Sequence, residues 1–164
     1  MARLANVTVS IDERDRQILH LVQRDASLAQ AEIARQVGLS TAAVHERLKK
    51  LEASGVIQRW TAVVDPASVG AGVTAFVEVF LDHPRHEPAL LERVGTLDEV
   101  LECHHVTGEF SLLLKVRVHD MEALRQLLLH QMGSLECVKR TRTVVVLSTE
   151  KEDTYVVPVV EGRT

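Results

Sequence analysis

The spacing of apolar positions changes character near residue 56. Upstream, apolar side chains recur every three or four residues, the mark of helices with one buried face. Ile18, Leu19, Leu21 and Val22 form the first stripe, which ends near Asp25. Ser10 and Glu13 match the capping-box spacing and predict the start of that helix. A second short helix is expected over residues 30–37, with Ile33, Ala34 and Val37 inward and Gly38 stopping it at a positive φ. Ser40 is the expected N-cap of a third helix, in which Val44, Leu48 and Leu51 fall at i, i+4 and i+7 before Gly55 ends it.

Downstream the pattern turns to strand. Residues 56–64 are rich in β-branched side chains and predict a strand. Asp65-Pro66, Gly70 and Gly72 then read as a connector. Strands are expected over 73–81, 100–106, 110–118 and 138–149, with helices over 88–95 and 121–132 between them. Thr107-Gly108-Glu109 forms the turn between the second and third of these strands, Asp120 is placed to cap the last helix, and Pro88 suits a first helical turn. The order βαββαβ predicts an α+β ferredoxin-like fold, a four-stranded antiparallel sheet with two helices on one face. The expected organisation is a winged helix-turn-helix with its wing or linker strand over 1–64, a connector over 65–72, the ferredoxin-like domain over 73–149 and a tail over 150–164. The tail holds another β-like run, Tyr155-Val156-Val157, to which the pattern assigns no partner.

Three helices, a tight Gly38-Leu39-Ser40 turn and a following wing carry a specific chemical demand. The second helix must brace the third, and the third must keep a polar front narrow enough at its N-terminal end to enter a major groove. Thr41, Ala42, His45, Glu46 and Lys49 lie off the apolar stripe and supply that front. Ser40 and Thr41 are candidate phosphate donors at the helix N-terminus, Lys49, Lys50 and Arg59 candidate phosphate neutralisers, and His45 or Thr41 candidate readers of base edges.

Charge sharpens this reading. The net charge of −4 is unevenly spread: residues 1–64 hold nine Lys/Arg against seven Asp/Glu, and residues 65–164 hold ten against sixteen. A mildly basic module joined to an acidic one fits a DNA reader carrying a second, non-DNA domain. Only five residues are aromatic, so the core must come from Leu, Val, Ile and Ala.

Several stretches together resemble the leucine-responsive regulatory protein/AsnC family of transcription regulators, over roughly residues 10–148. They are Ile11 to Leu19, Val37-Gly38-Leu39-Ser40 with Glu46 to Glu52, Gly55-Val56-Ile57-Gln58, Glu102 to Lys115, Asp120-Met121 and Thr141-Arg142-Thr143. The resemblance implies a DNA-binding regulator whose dimers pair through the ferredoxin-like sheet and assemble further, up to octamers. It implies an amino-acid effector held near the turn joining the second and third strands of the C-terminal domain. Carried onto this chain, that site comprises Thr107, Gly108, Glu109, Phe110 and Ser111, with Thr141 and Thr143 nearby. The chain departs from the family at Ser111, where an acidic residue is frequent. A carboxylate pairs with an ammonium group, whereas a serine only hydrogen-bonds it, so either a ligand other than leucine or asparagine or a weak site is expected.

Other constellations carry less. His83, His86 and Cys103-His104-His105 invite a metal reading, but strand alternation puts Cys103 and His105 on one face and His104 on the other, so no metal site is expected. Cys103 and Cys137 form no disulfide framework, and neither phosphate-loop nor nucleophile motifs occur. The reading is therefore of a non-enzyme with no cofactor beyond its effector, partnered by double-stranded DNA and by copies of itself. The start of the chain is too polar for a signal peptide and apolar runs are too short to span a bilayer, so a cytoplasmic location off the membrane is expected. Two other functions compete with this reading. Some sirohaem decarboxylases resemble this fold family, and His104, His105 and Arg117 are the residues such a reading would use. Those enzymes are expected to have lost the reading helix, which is intact here. The other alternative is an interaction module in which the three helices serve packing only.

Overall fold

The computed structural model describes residues 10–133 and 135–158, which divide into two compact units. One comprises residues 64–151, and the other comprises the residues before it together with the tail from Glu152 onward.

The first unit holds α1 (Glu13–Arg24), α2 (Gln30–Val37) and α3 (Thr41–Ala53). Ile18 and Val22 of α1, Ile33, Ala34 and Val37 of α2, and Val44 and Leu48 of α3 make one buried cluster, joined at its margin by Leu21, Leu28, Leu39 and Ile57. The helical stripes therefore meet as their spacing predicts. The start of α1 differs in one respect: its cap is Asp12, not Ser10. Asp12 Oδ1 accepts from the Asp15 amide at 2.8 Å, and Asp15 Oδ2 accepts from the Asp12 amide at 3.0 Å. A carboxylate at each end of the reciprocal pair satisfies two orphan donors and also opposes the positive end of the helix.

Gly38 ends α2 at φ 66°, and the amides of Gly38 and Leu39 both donate to the Ala34 carbonyl. Only glycine adopts this conformation without strain. Gly38→Ala is expected to cost about 1–2 kcal/mol, read as a lowered melting temperature, because the helix-to-helix turn needs the left-handed residue even though an added Cβ meets nothing closer than Arg14 Nη1 at 4.0 Å.

Residues 56–64 form no strand within the chain. Ile57 packs on the helical core, but residues 58–65 are exposed. β-branched composition favours a pleated, half-buried surface, and a strand forms only where another strand accepts its hydrogen bonds. The tail finds a partner that the pattern did not assign: Tyr155 and Val156 lie on the outer face of α1.

The second unit is the βαββαβ fold. Its elements are β1 (Val73–Leu81), α4 (Glu87–Val94), β2 (Val100–His105), β3 (Leu112–Val118), α5 (Met121–Gln126) and β4 (Val138–Val145). A 3₁₀ turn, Pro84–His86, precedes α4, and α5 runs on as a π-helical stretch, Leu127–Met132. The sheet is antiparallel in the order β2-β3-β1-β4. Ala75, Val77 and Val79 of β1 and Leu112, Leu114, Val116 and Val118 of β3 alternate into a core closed by Leu90 and Val94 of α4 and by Leu124, Leu127 and Met132. Asp120 caps α5 by accepting from the Ala123 amide at 2.7 Å, as its position predicts. Phe76, Glu78, Phe80, Leu113, Lys115, Arg140, Arg142 and Val144 share the opposite sheet face by register, the one turned away from α4 and α5.

Candidate DNA-reading helix and effector loop

Ser40 starts α3 by accepting from the Ala43 amide at 3.1 Å. Its hydroxyl hydrogen stays available to an outside acceptor, since a hydroxyl both accepts and donates. Val44, Leu48 and Leu51 are buried, and they orient the rest of the helix outward. At about 100° per residue, Thr41, His45, Lys49 and Ala42 follow one another around a single exposed arc of roughly 100°. Lys50 lies further round and Arg59 sits on the segment beyond the helix, both exposed. The front is thus polar, small at its N-terminal end and cationic further on.

The brace behind this front includes a residue to which the sequence reading gave no role. Arg47 Nη1 lies 2.6 Å from Asp12 Oδ2 and 2.6 Å from Asp15 Oδ1. Asp15 is only 2% exposed, so the pair anchors α3 to the start of α1 through a nearly dry carboxylate. The Asp15 amide and the Arg47 guanidinium hold the Asp12 carboxyl below its ordinary range, and the two aspartates hold Arg47 more firmly cationic. No local periodicity marks a contact between positions 32 and 35 residues apart. The signal available was an arginine beside the buried stripe, opposite an Asp-x-x-Asp helix start.

In the second unit the turn after β2 exposes Thr107, Gly108 and Glu109. Gly108 has φ 132°, with open space where a Cβ would stand. The Ser111 amide donates to the Val79 carbonyl at 3.0 Å and the Val106 amide to the Ser111 carbonyl at 3.3 Å, which ties the loop to the sheet. Phe110 meets Phe80, with ring centroids 5.8 Å apart, and the Arg140 guanidinium lies 3.9 Å from the Phe80 centroid. Thr141 pairs with Val79 and Thr143 with Val77, both half-buried. Ser111 and Thr141 both flank Val79 at one end of the sheet, but the loop leaves β2 while Thr141 and Thr143 stand on β4, the opposite edge strand, and the seven residues do not share one face. Phe110 joins Phe80, whereas both threonines lie in register with core-facing valines. The sequence reading missed Phe80, Arg140 and the Arg142–Glu78 ion pair, in which Arg142 Nε lies 2.6 Å from Glu78 Oε2. Glu78, and then Glu109, keep Arg142 firmly protonated.

The histidines are individually partnered. His86 Nδ1 lies 2.7 Å from Asp82, His105 Nε2 2.7 Å from Glu87 and His104 Nε2 3.1 Å from Glu102. Among the described residues no three His, Cys, Asp or Glu side chains converge on a metal-sized site. Arg117 donates to Thr74 Oγ1 at 3.1 Å. His104 and His105 point from opposite faces of β2, so they do not combine with Arg117 into one tetrapyrrole-handling cluster.

A helix-turn-helix unit with a free polar front, linked to a βαββαβ unit, defines a ligand-responsive DNA-binding protein. Comparison with known proteins agrees. The model of the winged helix-turn-helix DNA-binding domain matches residues 11–58, and that of the Lrp/AsnC ligand binding domain matches residues 74–156. The leucine-responsive regulatory protein of Escherichia coli K12 is 39% identical over 151 residues, covering 90% of this chain and 91% of that protein. An HTH-type transcriptional regulator of Pyrococcus abyssi is 35% identical over 146 residues, covering 89% and 95%. Among solved structures, E. coli AsnC superposes with a TM-score of 0.85 at 31% identity, covering 92% of this chain and 100% of that one. A Neisseria meningitidis transcriptional regulator solved as its L-Met complex gives 0.86 at 30% identity, covering 90% and 96%. The chain belongs to the Lrp/AsnC family of transcription regulators. It is a regulator with a DNA-binding and a ligand-binding domain, and not an enzyme. Among the described residues no helix is long and apolar enough to cross a membrane.

Proposed function

We propose that this regulator reads palindromic operator DNA as a homodimer in the cytoplasm, and that an amino acid seated at the effector loop modulates its binding or assembly. The observation that carries the DNA reading is the exposed arc Thr41, Ala42, His45 and Lys49 on a helix pinned from behind by Val44, Leu48, Leu51 and Arg47. In the complex Ser40 and Thr41 donate to phosphate, Lys49, Lys50 and Arg59 neutralise phosphate, and His45 and Thr41 meet base edges. Dimers pair through the sheet face opposite α4 and α5, where Val144 is 53% exposed, and they assemble further to octamers.

The effector reading places the ligand against Thr107–Ser111, with Thr141 and Thr143 at its margin. The similar Neisseria protein binds L-methionine, which supports an apolar amino acid as the ligand class here. Selection of bound fragments from random duplexes, followed by footprinting, is expected to yield a palindrome protected around α3-sized half-sites. If no duplex is retarded at low salt, the reading is wrong. A thermal-shift panel of the twenty amino acids identifies the effector, because a ligand that binds the native state raises its melting temperature. Gly108→Ala is expected to abolish most of that shift. A side chain at φ 132° forces the loop to rearrange, at a cost of about 1–3 kcal/mol, while the core beneath it stays packed. An unchanged shift in this variant would move the effector site elsewhere.

A further inference from the structure

The outer face of α1 is occupied by the chain's own C-terminal segment. His20, Gln23 and Arg24 stand at i, i+3 and i+4 on the side of α1 opposite its buried residues Ile18, Leu19 and Val22. The Tyr155 hydroxyl and His20 Nδ1 are hydrogen-bonded at 2.7 Å, and the two rings meet edge-to-face with centroids 5.7 Å apart. The Arg24 guanidinium lies 5.0 Å from the Tyr155 centroid. The Gln23 amide donates to the Val156 carbonyl at 3.0 Å and accepts from the Val156 amide at 2.8 Å, as a neighbouring strand would. Asp153 accepts from the Tyr155 amide at 2.9 Å and shapes the segment before it docks. A single stacked ring on a surface is ordinary. A ring engaged from two sides, next to a residue whose backbone donor and acceptor are both satisfied by one side chain, is a built contact.

This segment lies beyond β4, which ends at Val145 and carries Thr141 and Thr143, with residues 146–152 between the two. The helical unit is therefore joined to the chain of the sheet unit twice, covalently by the segment after α3 and non-covalently by the tail that leaves β4 and docks on α1. A chain segment held at both ends limits the orientations that its ends can sample, and releasing one end restores that entropy. We propose that residues 153–158 are a latch on α1: seated, they restrain the reading unit, and the effector acts on DNA binding by changing how firmly they sit. The effector half of this inference rests on the proposed effector loop; the latch itself does not.

The test uses the full-length protein beside Tyr155→Ala, Gln23→Ala and a chain ending at Asp153. Hydrogen exchange of α1 amides around residues 20–24 is expected to quicken by roughly two- to tenfold in each, the range that loss of one or two net hydrogen bonds produces. In a His20→Ala and Tyr155→Ala double-mutant cycle, the melting temperature of the double variant is expected to fall no further than that of Tyr155→Ala alone, since both remove one contact. Affinity for an operator selected on the wild type should change by several-fold, and its response to added L-methionine or L-leucine should shrink toward none. Unchanged α1 exchange overturns the latch. So does a changed assembly size with unchanged exchange, which would make the tail a subunit-pairing element. Faster exchange with wild-type operator affinity and wild-type amino-acid response also overturns it. Failure of the wild type itself to bind DNA would instead indict the proposed function, and the exchange and cycle measurements would still judge the latch.

Discussion

Arg47→Ala is expected to lower the stability of the helix-turn-helix unit by about 2–3 kcal/mol, because removing one partner strands a buried charge. In a unit of this size that shifts the melting temperature by roughly 10 °C or more. The reason lies in where the charges sit. Asp15 is 2% exposed, and its Oδ1 loses Arg47 Nη1, which lies 2.6 Å from it. Asp12 is more exposed and loses less. Arg47→Lys keeps the cation and should recover a large part of the loss. At temperatures where the variant is folded, operator affinity should stay close to that of the wild type, since Arg47 lies behind the reading arc and not on it. Differential scanning calorimetry with anisotropy at low temperature separates the two effects. A variant that melts with the wild type would show that the pair contributes nothing, and the brace would then be apolar only.

The same pair predicts an acid response. Asp12 is held below its ordinary range when folded, so its contribution is present above the unfolded value, near pH 4, and is lost as pH falls through the lowered folded value. Wild-type melting temperature should therefore drop on acidification below about pH 4, and Arg47→Ala should show a shallower drop, since part of what protonation removes is already gone.

Lys49→Glu is expected to weaken DNA binding on the order of a hundredfold at low salt, and to do so for operator and random duplex alike. A phosphate contact carries no sequence information, and replacing a cation with an anion in both protomers both removes and repels. Lys49→Ala is expected to reduce the slope of log affinity against log salt by about 0.9 per lost phosphate contact. Neither change should disturb folding, because Lys49 is exposed on the polar arc of α3. His45→Ala should behave differently, lowering the operator-to-random ratio more than the affinity for random duplex. If Lys49→Glu retained the wild-type salt slope, the arc would not face the backbone, and the docking geometry proposed for α3 would be wrong.

Much of this molecule was legible from spacing alone. Ile18 and Val22, Ile33 and Val37, and Val44 and Leu48 lie at intervals that put each pair on one helical face, and any helix carrying them must bury that face. The alternation in Ala75, Val77 and Val79 and in Leu112, Leu114 and Val116 likewise dictates a half-buried sheet, and the order βαββαβ leaves few ways to arrange it. Gly38, Ser40 and Asp120 act within a few residues of themselves, so their roles are local and readable. The exposed arc of α3 follows from the same periodicity, since whatever does not face the core faces out.

Only the tertiary structure decided the rest, and in each case the missing quantity was a partner distant in sequence. Arg47 reaches Asp12 and Asp15, Tyr155 reaches His20, and Arg140 covers Phe80; charge, ring and hydrogen-bond partners of this kind leave no period in the chain. Residues 56–64 have the composition of a strand and no strand beside them, because β structure is a property of pairs. The cap stands at Asp12 and not at the expected Ser10, and the Asp12 and Asp15 carboxylates that close this box also meet Arg47, a partner distant in sequence. Short-range periodicity determines elements and their buried faces, whereas long-range electrostatic and hydrogen-bond complementarity determines which elements hold one another.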